Sequence, residues 1–148
     1  MKGKKADMKK ILVVAAHPDD EILGVGATVA KHAAQGDEVY ALILGEGQTS
    51  RGEHREDISA EVVKELHQNT LESAKKVGYK EVYFADFPDN RFDQVDLLDV
   101  VKAVEHKIKE IQPEIIYTHY SGDLNIDHQY TARAVLTASR PIGDYPVK

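Results

Sequence analysis

The chain has 148 residues, 42% of them apolar and 30% charged, enough for one soluble domain with its own core. Lys and Arg number 19 against 25 Asp and Glu, giving a net charge of −6 and no basic stripe for nucleic acid. Cysteine is absent, which excludes disulfides, thiolate metal sites and a cysteine nucleophile.

Residues 1–8 are basic and read as a flexible leader, followed by a single domain over residues 9–148. The apolar run after the leader is too short for a signal peptide or a membrane span, so the expected location is the cytoplasm. Residues 10–16 (KILVVAA) are rich in β-branched side chains, as in a strand covered on both faces. An Ala-rich helix is expected over 22–35, closed by Gly36, then a second strand over 38–44. A long helix over 58–77 is closed by Gly78, and a third strand follows over 79–85. Residues 95–111 carry the stripe Leu97, Val101, Val104, Ile108 and Ile111, a helix that stops before Pro113. A fourth strand over 114–119 and a last helix over 127–138 complete the pattern.

Strands alternating with helices imply an α/β Rossmann-like three-layer sandwich with a mostly parallel sheet. The last helix should lead into another strand. The expectation is therefore a domain truncated at its C-terminus and lacking its final strand or strands. The unpaired edge of such a sheet favours lowered stability or assembly into a homo-oligomer.

Helix-to-strand turns are short and plain. Strand-to-helix loops are longer and polar: HPDDE (17–21), GEGQTSRGE (45–53), DFPDNRFDQ (86–94) and SGDLNIDHQ (121–129). In open α/β sheets ligands bind beyond the carboxyl ends of the strands, so this asymmetry locates the site. In His17-Pro18-Asp19-Asp20-Glu21, an imidazole and a carboxylate suit Zn²⁺ or another divalent transition metal. Helix capping by the acids is the competing reading. Asp127-His128 offers a third ligand, against the plainer reading of Asp127 as an N-cap. Strands one and four are neighbours if the strand order reverses at strand one. His17, Asp20 and His128 would then hold a metal with an open position, and Asp127 could hydrogen-bond a ligating imidazole. His32, His54, His67 and His106 fall on helices among charged residues and read as surface groups. Gly24-Val25-Gly26 lacks the third small residue of a dinucleotide fingerprint.

The chain resembles the PIG-L/LmbE-like zinc N-deacetylases. The resemblance rests on Ala16 to Glu21, Gly47-Gln48-Thr49-Ser50-Arg51, Pro88 to Asp93, and Asp123 to His128, in the family's order. It implies that His17, Asp20 and His128 ligate zinc and that Asp19 is the general base. It also implies removal of an acetyl group from an N-acetyl amino sugar or its conjugate. Arg51, Asp89, Arg91 and Asn125 are candidates for holding that small-molecule substrate. Many members carry a histidine where this chain has Asn125, which cannot shuttle a proton. His119 is a substitute acid, with a histidine satisfied by backbone as its plainer reading. Two alternatives stay open: a sugar- or nucleotide-binding module without catalysis, and a two-His-one-carboxylate iron enzyme.

Overall fold

The computed structural model describes residues 7–141 and 147. Most of the expected leader, residues 1–6, and most of the tail after the last helix lie outside the described residues. The strands are β1 (Lys10–Ala15), β2 (Glu38–Gly45), β3 (Glu81–Phe87) and β4 (Ile115–Tyr117). The helices are α1 (Asp20–Leu23), α2 (Gly26–Ala34), α3 (Ala60–Val77), α4 (Leu97–Ile111) and α5 (Ile126–Ala138).

The four strands form one parallel sheet in the order β3-β2-β1-β4. The order reverses at β1, as the sequence reading requires for β1 and β4 to be neighbours. Alternation along each strand explains the three layers. Leu12, Val14, Tyr40, Leu42 and Leu44 pack with Val100, Val101, Val104 and Ile108 of α4 and with Ala134 and Val135 of α5. Ile11, Val13, Val39 and Ala41 pack instead with Val29 of α2 and Ala74 of α3. Residues 11–16 are therefore buried throughout, because both faces of β1 are covered. Each such aliphatic side chain contributes about 1.5–3 kcal/mol on burial.

One expected helix is two. The 22–35 segment starts earlier, at Asp20, and breaks at Gly24 and Val25 before α2 begins at Gly26. Two glycines and a β-branched residue are weak helix formers, so the short α1 can follow the loop while α2 packs on the sheet. Two histidines read as surface groups are half-buried. His32 bridges Asp37 and Tyr117, and His67 stacks on Phe84 with ring centroids 3.9 Å apart. No helix among the described residues is long and apolar enough to cross a membrane.

β1 pairs with β2 from Lys10 to Ala15 but with β4 only from Ile11 to Val13. β4 stops short, so the carboxyl end of β1 stands open on that side. A cleft forms there.

Candidate metal centre and active site

His17 leaves the end of β1, and its N–H donates to Asp20 Oδ2 at 2.9 Å, folding the loop so that both side chains face the same point. His128 arrives from the first turn of α5. His17 Nδ1, Asp20 Oδ2 and His128 Nε2 lie 3.2, 3.3 and 3.4 Å apart, a nearly equilateral triangle. A tetrahedral ion with donor bonds of about 2.0–2.1 Å separates its ligand atoms by about 3.3 Å. The three donors thus fit one small divalent ion with a fourth position free. His17, Asp89 and Asp127 form a second group with close ligand atoms. There, however, His17 Nε2 already donates to Asp127 Oδ2 at 2.9 Å.

That hydrogen bond fixes the tautomer of His17, leaving the Nδ1 lone pair for the centre. Asp127 is fully buried and also accepts the N–H groups of Asn90 (2.7 Å) and Phe92 (3.0 Å). It does not cap α5. Asn125 does, accepting the Asp127 and His128 N–H groups on Oδ1, while its Nδ2 donates to Asn90 Oδ1 at 3.0 Å. The capping reading of Asp127 is thereby corrected, and Asn125 acts on the site through the backbone of both its neighbours. His128 Nδ1 faces Asp123 Oδ2 at 3.2 Å, without the alignment of a full hydrogen bond. Both imidazoles therefore present one nitrogen inward and a carboxylate behind the other. Sequence reasoning passed over Asp123, although it stands inside the last motif.

The surroundings favour a cation. Burial alone would lower the His17 pKa, but its hydrogen bonds with Asp127 and Asp20 overcome this and push it up to about 10. Burial would raise the Asp20 pKa, yet hydrogen bonds from His17 hold it below the usual carboxylate value. His119 does not supply a charged acid. Burial pulls its pKa down to about 4, and Nε2 accepts the Ala16 N–H at 2.8 Å. Its ring stacks on His128 at 3.9 Å. The plainer reading of His119 prevails.

Asp19 has φ +132°, a conformation that costs a non-glycine residue about 1–3 kcal/mol. It lines two clefts that Asp20 does not, one of them apolar, with Glu21 and Leu66. Asp20 and His128 line an open cleft of about 420 Å³ with Leu23, Val25, Tyr117 and Tyr120. Asp19 and His17 line another, of about 360 Å³, with Gln48, Ser50, Arg51, Asp89 and Asn90. Desolvation, then the charge of Asp20, raises the Asp19 pKa. Asp89 is buried, held by the Ser50 N–H (3.1 Å) and hydroxyl (2.7 Å). Arg91 is half-buried at the start of a 3-10 turn, and its Nε has no hydrogen-bond partner among the described residues. Arg51 is exposed in the polar cleft, so that cleft collects Arg51, Asp89 and Asp19 but neither Arg91 nor Asn125.

The family described as PIG-L, GlcNAc-PI de-N-acetylase, matches residues 12–139, which hold every element from β1 to α5 and all three donors. The chain belongs to the PIG-L family. This PIG-L chain is 30% identical over 139 residues to the uncharacterized deacetylase YaiS of Escherichia coli K12, covering 90% of the chain and 70% of YaiS. It is 30% identical over 111 residues to the diacetylchitobiose deacetylase of Thermococcus kodakarensis, covering 74% of the chain and 40% of that relative. Among solved structures, GalB, the 4-carboxy-2-hydroxymuconate hydratase of Pseudomonas putida KT2440, superposes with a TM-score of 0.74 at 25% identity. That match covers 89% of the PIG-L chain and 56% of GalB. The PIG-L chain thus spans roughly half of two of these three proteins.

Proposed function

We propose that the protein hydrolyses the acetamide of an N-acetylglucosamine-type substrate, with a zinc ion held by His17 Nδ1, Asp20 Oδ2 and His128 Nε2. The observation that carries this reading is the donor triangle, whose edges of 3.2–3.4 Å suit a tetrahedral ion. Membership of a family described as a de-N-acetylase, and similarity to a diacetylchitobiose deacetylase, support the substrate class.

When bound, the ion supplies a Lewis acid for the amide carbonyl and lowers the pKa of a water. The chain supplies the rest. Asp19 takes a proton from the attacking water as its oxygen adds to the carbonyl carbon. The raised pKa of Asp19 brings it nearer to that of a working base. As the C–N bond breaks, Asp19 returns the proton to the departing nitrogen, giving acetate and a free amine. One group does both tasks because Asn125 cannot carry a proton and His119 stays neutral. Asp89, fixed by Ser50, accepts hydrogen bonds from sugar hydroxyls, and Arg51 and Arg91 donate to them. Asn125 holds Asn90 at the edge of this cleft.

The test combines elemental analysis of the purified protein with amine release from diacetylchitobiose. One zinc per chain, lost in His17→Ala, together with chelator-sensitive deacetylation, is the expected result. A different metal with oxygen consumption would favour the iron reading. No metal, with sugar binding indifferent to chelator, would favour a binding module.

A further inference from the structure

Glu21 is a buried carboxylate that the reaction above does not use. It is 1% exposed, on α1, one residue beyond a proposed ligand. Among the described residues its Oε1 has no hydrogen-bond partner, and no Lys or Arg is paired with it. Burial raises its pKa. The Tyr79 hydroxyl donates to the Glu21 main-chain carbonyl, not to the carboxylate. An apolar side chain of the same length would suit this position better for stability alone. The carboxylate makes one contact toward the site: Oε2 accepts the Asp19 N–H at 2.9 Å.

Asp19 is the residue that needs such a contact. Its φ of +132° and ψ of −30° are unfavourable for any side chain with a Cβ. Its carbonyl is held from the other side, accepting the N–H groups of Ile22 (3.0 Å) and Leu23 (2.8 Å). The carbonyl hold is ordinary first-turn helix bonding. The N–H hold comes from Glu21 alone. Together they hold adjacent residues at different places, with the Asp20 carboxylate in the triangle and Asp19 at the rim shared by the polar cleft and an apolar one.

We propose that Glu21 is a positioning residue: by accepting the Asp19 N–H it locks the backbone turn that aims the Asp19 carboxylate into the polar cleft. This rests on the reading of Asp19 as the general base. It requires an acceptor at Oε2 but not a charge there. Glu21→Gln keeps an acceptor oxygen, and Glu21→Met keeps the length without one.

The experiment has a structural arm and a kinetic arm. In metal-free protein, amide hydrogen exchange at Asp19 is expected to be about tenfold faster in Glu21→Met and unchanged in Glu21→Gln. Glu21→Met should melt no lower than the parent and keep stoichiometric zinc. On diacetylchitobiose its kcat should fall about 10–100-fold with KM within about twofold, and Glu21→Gln should recover most of that loss. In an Asp19→Asn background, Glu21→Met should cost nothing further, since both changes act through one group. Parental kcat in Glu21→Met, an undiminished loss in the Asp19→Asn background, or Glu21→Gln as impaired as Glu21→Met would each overturn the proposal. Full turnover by Asp19→Asn alone would instead remove Asp19 as the base. The exchange arm would still decide whether Glu21 holds that turn.

Discussion

Asp19 and Asp20 are chemically identical neighbours in different surroundings, to which we assign different tasks. Asp20, hydrogen-bonded to His17 and below the usual carboxylate pKa, is a ready metal ligand. Asp19, raised by desolvation and by Asp20, is the proposed base. Asp19→Asn should keep one zinc per chain and lose about 10²–10⁴ in kcat, read as amine release. Undiminished turnover would refute the assignment. His17 adds a pH signature. Without metal its pKa of about 10 exceeds the ordinary 6.5, so its stabilising contribution is complete below pH 6.5 and is lost as pH rises through 10. A metal ligand must be neutral at the donating nitrogen, so the zinc contribution grows in the opposite direction. Chelated protein should therefore melt lower at about pH 9.5 than at about pH 7, while the gain on adding zinc should shrink steadily as pH falls below about 10. Calorimetry at several pH values checks both slopes, and parallel slopes with and without zinc would discount His17 as a ligand.

At the level of elements, α5 carries Asp127 and His128 in its first turn, and Asn125 caps that turn by accepting both their N–H groups. Asn125→Ala should cost about 1 kcal/mol of stability and weaken zinc binding, whereas Asn125→Ser restores a cap. Titration calorimetry with zinc would expose the opposite outcome, an unchanged affinity. Gly78 gives the contrasting case. At φ +113° it closes α3, and a Cβ there would lie 2.6 Å from the Ala33 Cβ. Gly78→Ala should lower the melting temperature and leave zinc affinity unchanged, because the turn lies at the opposite edge of the sheet from the site. The four strands and the long helices were legible in the sequence because burial on both faces writes continuous apolar runs, and one-sided burial writes a stripe. The break at Gly24 and Val25 was not, since the Ala-rich pattern runs through it. In the site, His17, Asp20 and His128 were legible because their loops share one edge. The roles of Ser50, Asn90 and Asp123 were hidden. Ser50 meets Asp89 39 residues away and Asn90 meets Asp127 37 residues away, and a single sequence carries no trace of such partners.

Across the whole molecule, fold and reaction are separable. The fold superposes on that of a hydratase, so the fold alone does not argue for amide hydrolysis; the site and the family do. What the site does for the fold is a different matter. His17 follows the first strand and His128 opens the last helix, 111 residues later. β4 contributes only three residues of pairing to the sheet, so α5 depends on its packing against α4 and β1 and on the contacts around the triangle. An ion bound there would clasp the two ends of the described chain together. Zinc at about 100 times its dissociation constant should stabilise the native state by about 2.7 kcal/mol. For a domain of this size that is a rise of roughly 5–10 °C in melting temperature. Amide exchange should slow most in the first turns of α5 and in the loop after β1. His128→Ala should abolish the zinc-dependent rise and leave α5 exchanging as in chelated protein. A rise of equal size in His128→Ala would place the ion elsewhere in the molecule and leave the triangle without its metal.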